Sequence, residues 1–369
     1  MLNDWERLTF FPLKWISLGG LHPKTGGFFV KILFWYNFGC FGTILGLAIT
    51  QICLSYENIY YTIDSILTIV LYLHIISKYV SLRLHRDTLA TLIQLQSRFW
   101  KIDTFDLTIR QKCVKILTKS LTIIKSYLGY SLVVVTSFLI RPIITGELPV
   151  SMYVPRGTYY IFFVLFMTFT PGIMSSIWGV DTLFYSIATP VSIQFKLLAH
   201  KFETIDLKKN SKQVRQEFQK LVNYHNFLIN YCQIINKMSS EIFLTQYLVA
   251  IATSCLQLFI TSQPEFDFLN KIKCLSYFIM QIIETGIYCF TAQLISDSAE
   301  NVGNAVYKSA WYDCNPSTRK NIALVLVRSQ KKFAFNGLGL VWIKMETFTK
   351  IFKTALSFYT YLNTMVYQN

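Results

Sequence analysis

The chain has 369 residues, 53% of them in the AVILMFWYC set and only 15% charged, with a mean hydropathy of +0.39. Soluble domains carry about 25% charged residues. This much apolar surface, including 30 Phe, 22 Tyr and 7 Trp, excludes a disordered chain and calls for a bilayer as solvent. The net charge of +15, from 35 Lys+Arg against 20 Asp+Glu, fits either a nucleic-acid binder or the cytoplasmic loops of a membrane protein.

In chain order, Asp4, Glu6, Arg7, Lys14 and Lys24 interrupt the first thirty residues, so no secretory signal peptide is expected there. Trp5, Leu8, Phe10, Phe11, Trp15, Ile16 and Leu18 predict a short amphipathic element at a membrane surface. Seven stretches then reach the roughly 20 apolar residues of a spanning helix. They are Ile32–Ser55; Ile59–Val80; Leu121–Ile140, with Arg141-Pro142 as its stop; and a fourth from Thr158 through Thr170-Pro171-Gly172, continuing toward Ala199 with a second bend at Pro190. Met238–Ser262, Ile272–Ser296 and Val341–Tyr367 complete the set. Polar helices join them: one long amphipathic segment over Leu82–Lys119, a helical Asp206–Lys237 running into the fifth span, and a basic helix over Pro316–Lys332.

The basic residues are unevenly placed. The segments 1–31, 81–119, 196–220 and 297–344 hold 26 Lys/Arg, and the opposite loops (55–60, 141–158, 263–273 and 367–369) hold 4. Positive residues collect on the cytoplasmic side. The expected fold is therefore all-α and polytopic, with seven transmembrane helices, a cytoplasmic N-terminus and an extracellular C-terminus, and the charge needs no nucleic acid.

Other chemistry is poorly represented. The eight cysteines are scattered without a C-x-x-C pair, which argues against a disulfide framework or zinc. No catalytic motif is present, so neither an enzyme nor a cofactor is expected. His74 is the one histidine inside a span and reads as a hydrogen-bonded packing residue. Asp64, Asp181, Glu241 and Glu284 are ionisable residues within spans, a costly placement that often marks function. The seven spans suggest a G-protein-coupled receptor. However, the orientation is opposite, no Asp/Glu-Arg-Tyr follows the third span, and Asn315-Pro316-Ser317-Thr318-Arg319 is not Asn-Pro-x-x-Tyr.

The last third carries the most specific pattern. It contains Tyr288-Cys289-Phe290, Ser298 and Ala305-Val306-Tyr307-Lys308-Ser309-Ala310-Trp311-Tyr312. Pro316, Arg319-Lys320, Val327-Arg328-Ser329-Gln330-Lys331-Lys332, Phe348, Ser357 and Tyr359 follow. This resembles the C-terminal signature of the insect odorant receptor family, and the inverted seven-span topology extends the similarity along the chain. The last span departs from the Thr-Tyr-x-x-x-x-x-Gln of the related gustatory receptors.

The resemblance implies a ligand-gated, non-selective cation channel in the plasma membrane of olfactory neuron dendrites. In such channels a tuning subunit assembles with a co-receptor around one pore, as a tetramer. The short connection between spans four and five resembles a tuning subunit rather than the longer co-receptor. Within one integral domain, the resemblance assigns 1–31 to a cytoplasmic segment and 32–296 to spans one to six, with a pocket in their outer half. It assigns 297–340 to a cytoplasmic anchor and 341–369 to the pore-lining span. Tyr361, Thr364 and Met365 match pore-facing positions, and Ser357 shares their helical face. Tyr307, Trp311, Tyr312, Arg319, Arg328 and Gln330 match the anchor. By analogy and depth, a pocket for a small volatile apolar ligand is expected at Thr68 and Tyr72; Tyr130, Val134 and Ser137; Tyr159, Phe163, Phe166 and Met167; and Tyr277, Met280 and Gln281. The alternative reading is a metabotropic seven-span chemoreceptor.

Overall fold

In the computed structural model the described residues are 4–23, 27–55, 59–206, 212–264, 266–309, 311–314, 316–331 and 333–368. Lys24, Ala310, Asn315, Lys332 and Asn369 lie outside them. Eleven α-helices are described in these residues: α1 (Asp4–Leu18), α2 (Phe28–Leu54), α3 (Ile59–Leu84), α4 (Arg86–Leu95), α5 (Leu107–Thr145), α6 (Tyr159–Met174), α7 (Val180–Thr204), α8 (Lys212–Ser262), α9 (Phe268–Lys308), α10 (Pro316–Gln330) and α11 (Met345–Gln368).

The protein is an all-α polytopic membrane protein. Among the described residues, six helical stretches are long and apolar enough to cross a bilayer: α2, α3, α5, the continuous α6–α7 unit, α8 and α9. The seventh expected span, α11, has the length, since 24 residues rise about 36 Å. It is missing from that set because Lys350, Lys353, Ser357, Thr360 and Thr364 give it a polar face. Its helix also starts at Met345, four residues after the expected start. Val341-Trp342 instead pair as a strand with Asn336-Gly337. This hairpin turns through Leu338 and Gly339 at positive φ. Gly337 is required because a Cβ there would fall 2.7 Å from the Leu244 backbone nitrogen of α8, closer than side chains tolerate.

Two further local expectations are corrected. Leu82–Lys119 is not one helix. It breaks into the end of α3, α4, two short 3₁₀ turns and the start of α5. The break is clamped by Trp100, whose ring stacks on Tyr224 at 4.0 Å while its N–H donates to Gln194 at 3.0 Å. Arg141-Pro142 does not stop the third span. Pro142 sits in the last turn of α5 and its carbonyl accepts from Gly146, the left-handed cap that ends the helix. The fourth span runs on through Thr170-Pro171-Gly172 as expected, and just beyond Pro171 it widens into one π-helical turn, Ser175–Gly179. Such turns accommodate a register change without ending the helix.

The helices α7 and α9 lie against each other at the centre, with α8 beside both and α3 packed on α8. Helix α1 is amphipathic as expected. It buries Trp5, Leu8 and Ile16 and leaves Phe10, Phe11 and Leu18 exposed, but its buried face lies on α7 and the π turn rather than free at a surface. Among the described residues no disulfide joins the cysteines.

Candidate functional site

Between α3, α5, α6 and α9 the helices leave a cavity of ≈ 100 Å³. Each helix contributes a stripe at helical spacing: Leu71, Tyr72 and Ile75 from α3; Ser131, Val134 and Phe138 from α5; Phe166, Thr170 and Ile173 from α6; Tyr277, Met280 and Glu284 from α9. Trp178 of the π turn and Val150 of the α5–α6 loop close the wall. The space is of the order of the ~150 Å³ apolar cavity that takes up benzene in an engineered protein, so it suits a small ring or short chain.

Five of the expected pocket residues meet on this wall: Tyr72, Val134, Phe166, Tyr277 and Met280. Thr68 lines a smaller adjoining space of ≈ 20 Å³, which shares Leu71, Phe138, Val150 and Tyr277 with the main cavity. Tyr159 lines a vestibule of ≈ 960 Å³ at the loop end of the bundle, with Asp64, Arg141 and Lys273. Asp64 and Lys273, paired at 3.2 Å, line both the vestibule and the adjoining space. The other five lie off the wall. Tyr130 donates to the Ser276 carbonyl at 3.0 Å, and Ser137 bonds within its own helix. Phe163 stacks on Tyr159, and Met167 lies half-buried on a neighbouring face of α6. Gln281 donates to Thr285 at 3.3 Å. On α6 the wall runs further along the helix than expected, from Phe166 to Met174 rather than from Tyr159, a placement that helical periodicity does not encode.

Below the cavity is a buried ionic cluster that local sequence reading did not assemble. Lys78 of α3, 0% exposed, donates to Asp181 Oδ1 at 2.6 Å and also to Glu284 Oε1. Tyr127 and Tyr288 donate to the two Asp181 oxygens at 2.7 Å and 2.6 Å. Buried charges persist when paired and hydrogen-bonded, and Asp181 meets that condition with three donors. His74 is buried, as a packing residue would be, with Gln246 as its side-chain hydrogen-bond neighbour. Its Nε2 has no hydrogen-bond partner among the described residues and stands 4.0 Å from Glu284 Oε1. The overlooked signal was Lys78 itself. A lysine four residues after His74, deep in an apolar helix, requires a buried carboxylate, and Asp181 and Glu284 were the available ones.

Helix α11 is covered on one side only. Ile351 and Ala355 are buried, and Phe352 meets Phe278 of α9 edge-on at 6.2 Å. Asn363 accepts from Gln263 at the end of α8 at 3.2 Å. Ser357, Tyr361, Thr364 and Met365 share the exposed side, with Tyr361 56% exposed, and Lys350 and Lys353 are exposed as well. Glu346 pairs with Lys344 at 2.6 Å at the start of the helix. At the opposite end from the vestibule, Tyr307, Tyr312, Arg319 and Gln330 are exposed. Trp311 and Arg328 are half-buried, and Arg319 donates to the Cys314 carbonyl at 2.8 Å. Among the described residues, no group of three or more His, Cys, Asp or Glu is arranged to hold a metal ion.

Comparison with known proteins gives a consistent result. The 7tm odorant receptor family model matches residues 58–356. Odorant receptor 82a of Drosophila melanogaster is 23% identical over 227 residues, covering 59% of this chain and 58% of that protein. Odorant receptor 85b of the same fly is 20% identical over 234 residues, covering 61% and 59%. The chain thus spans less than two thirds of the length of the curated relatives it matches. The structure of the insect olfactory receptor OR5 from Machilis hrabei in complex with eugenol superposes with a TM-score of 0.87 at 14% identity, over 98% of this chain and 100% of that one. That likeness extends to the fold.

Proposed function

Given that the chain belongs to the 7tm odorant receptor family, and so is a receptor rather than an enzyme, we infer that it is a tuning subunit that binds a small volatile apolar ligand and gates a non-selective cation channel formed with a co-receptor. The observation that carries this reading is the apolar cavity enclosed by α3, α5, α6 and α9. A pocket of apolar and aromatic side chains with few polar groups suits such a ligand, and OR5 of Machilis hrabei holds eugenol. The cytoplasmic side is the one rich in Lys and Arg. That puts the N-terminus in the cytosol, the vestibule outside, and the C-terminus of α11 outside. The ligand reaches the cavity from the vestibule, past the Asp64–Lys273 pair.

In this reading the exposed side of α11 lines a pore shared between subunits. Its polar atoms explain why it alone lacks the hydropathy of the other spans. Tyr361 and Met365 form the apolar ring that closes it by dewetting. Ligand binding favours the open state to the extent that it binds that state more tightly. α9 carries the shift, since Met280 and Glu284 line the cavity while Phe278 touches Phe352 of α11. Tyr307, Tyr312, Arg319 and Gln330, uncovered in the single chain, belong to the inter-subunit anchor, with Trp311 and Arg328 bracing it from within. The subunit resides in the plasma membrane of an olfactory neuron dendrite. The short link from Thr204 to Lys212 favours the tuning role over the co-receptor role.

The test is co-expression with an insect odorant co-receptor and current recording against a panel of volatiles. Ligand-evoked cation current that depends on this subunit is the expected result. Silence in every pairing, with the protein at the cell surface, overturns the reading.

A further inference from the structure

The cavity wall is apolar except for a few side chains, and most of their polar atoms are already engaged. Ser131 donates to the Tyr127 carbonyl at 2.5 Å. Thr170 donates to the Phe166 carbonyl at 2.8 Å. At the inner end of the wall the situation changes. His74 is 4% exposed, its Nε2 is without a hydrogen-bond partner among the described residues, and it lines the cavity together with Glu284. A carboxylate can accept about four hydrogen bonds, and the bond found at Glu284 comes from Lys78. Asp181, by contrast, already accepts from three donors, Lys78, Tyr127 and Tyr288.

His74 Nε2 and Glu284 Oε1 are 4.0 Å apart. That is too far for a direct hydrogen bond, but one oxygen atom can reach both at the usual ~2.8 Å. The two groups ask different things of it. The carboxylate accepts only, so the visiting atom must donate. The imidazole nitrogen is left with a donor or a lone pair according to its tautomer. With Nε2 protonated, a hydroxyl oxygen satisfies the pair, donating its hydrogen to the carboxylate and accepting from the Nε2–H. An ether or ketone oxygen cannot donate and would set its lone pairs against the carboxylate. A hydrocarbon would leave Nε2 buried and unpaired.

Resting on the reading of this cavity as the ligand site, we propose that His74 and Glu284 form a hydrogen-bonding station at its inner end, which selects small ligands bearing an O–H group, alcohols or phenols, over ethers and hydrocarbons of the same shape. Lys78 positions the station by holding Glu284 against the wall, and the rest of the wall reads only size and shape.

The experiment uses the full chain with its co-receptor and sets of volatiles matched in carbon skeleton, such as phenol, anisole and toluene. The readout is the ratio of half-maximal concentrations within each set, which cancels differences in expression. In the unaltered receptor the hydroxyl member acts at ~10–100-fold lower concentration than its partners, the range of one hydrogen bond to a charged group. H74F, which keeps a flat ring without nitrogen, brings that ratio close to one. H74Q, which restores an amide in the same region, recovers part of it. Y72F and Y277F, which remove the two phenolic hydroxyls of the wall, leave the ratio as it was. A receptor that responds equally to the three members of a set overturns the station. So does an H74F receptor that keeps its preference, or a preference lost in Y72F or Y277F instead. In those cases V134W still reduces the response to every member, and the cavity reading stands. If V134W changes nothing, or no member of any set acts, the cavity reading fails and the station fails with it.

Discussion

Lys78 Nζ donates to Asp181 Oδ1 at 2.6 Å across 103 residues of sequence, both side chains shut away from solvent and lipid. The bond ties α3 to the first turn of α7, and the same ammonium holds Glu284 on α9. Three helices that meet around the cavity are therefore fixed to one another at its base, and the wall above them is held in shape by charge as well as by packing.

Replacing Lys78 leaves two carboxylates buried without their cation. Breaking a buried pair by removing one partner costs about 3–5 kcal/mol. Lys78→Met is expected to lower the thermal midpoint of the detergent-solubilised protein and to reduce surface expression, more than Asp64→Asn at the solvated vestibule. Equal midpoints for the two variants would show that the cluster contributes nothing to stability.

Cavity volume should set ligand size. Val134→Trp fills much of the ≈ 100 Å³ and should depress responses to ligands of benzene size and above. Phe166→Leu should shift preference toward bulkier ones. One methylene in an apolar pocket is worth about 1–3 kcal/mol, or ~10–200-fold. Dose–response curves over a homologous series measure this, and unchanged rank order in both variants would place the ligand elsewhere.

Tyr361→Ala removes the largest side chain from the exposed side of α11. If that side closes the pore by dewetting, current without ligand should rise or relative cation permeability should change. Voltage-clamp recording of basal current and reversal potential decides the matter, and wild-type values across Ser357, Tyr361, Thr364 and Met365 variants would remove α11 from the conduction path.

The Asp64–Lys273 pair at 3.2 Å borders the vestibule and the adjoining space but not the main cavity. Lys273→Ala should therefore speed both onset and decay of ligand-evoked current while altering the half-maximal concentration little. Fast-perfusion kinetics test this, and unchanged time courses would mean that ligands reach the cavity by another route.

The anchor residues present a mixed picture. Tyr307 and Tyr312 are 67% and 62% exposed, and in the proposed anchor they meet a partner subunit. Tyr312→Asp should reduce co-purification with the co-receptor while leaving the thermal midpoint of the isolated subunit unchanged. Full co-purification would assign these rings a different role.

Much of this molecule was determined by local sequence. The hydropathy of α2, α3, α5, α6–α7, α8 and α9 is a property of each segment taken alone, because a spanning helix satisfies its own backbone and needs only an apolar exterior. The Tyr307 to Lys332 pattern likewise marks the family from residues close together in the chain. Three features were decided only by the tertiary structure. Which carboxylates Lys78 meets depends on α3, α7 and α9 converging, and periodicity within one helix cannot say which helix faces it. The placement of the cavity follows from where four helices separate and where the Pro171 region widens into a π turn, so Tyr130, Ser137 and Gln281 turned to neighbours while Leu71, Phe138 and Trp178 took the wall. The half-covered state of α11 is the third. Its sequence shows a polar face, but a polar face can meet a loop, a partner or water, and only packing against α8 and α9 on one side left Tyr361 and Thr364 uncovered on the other.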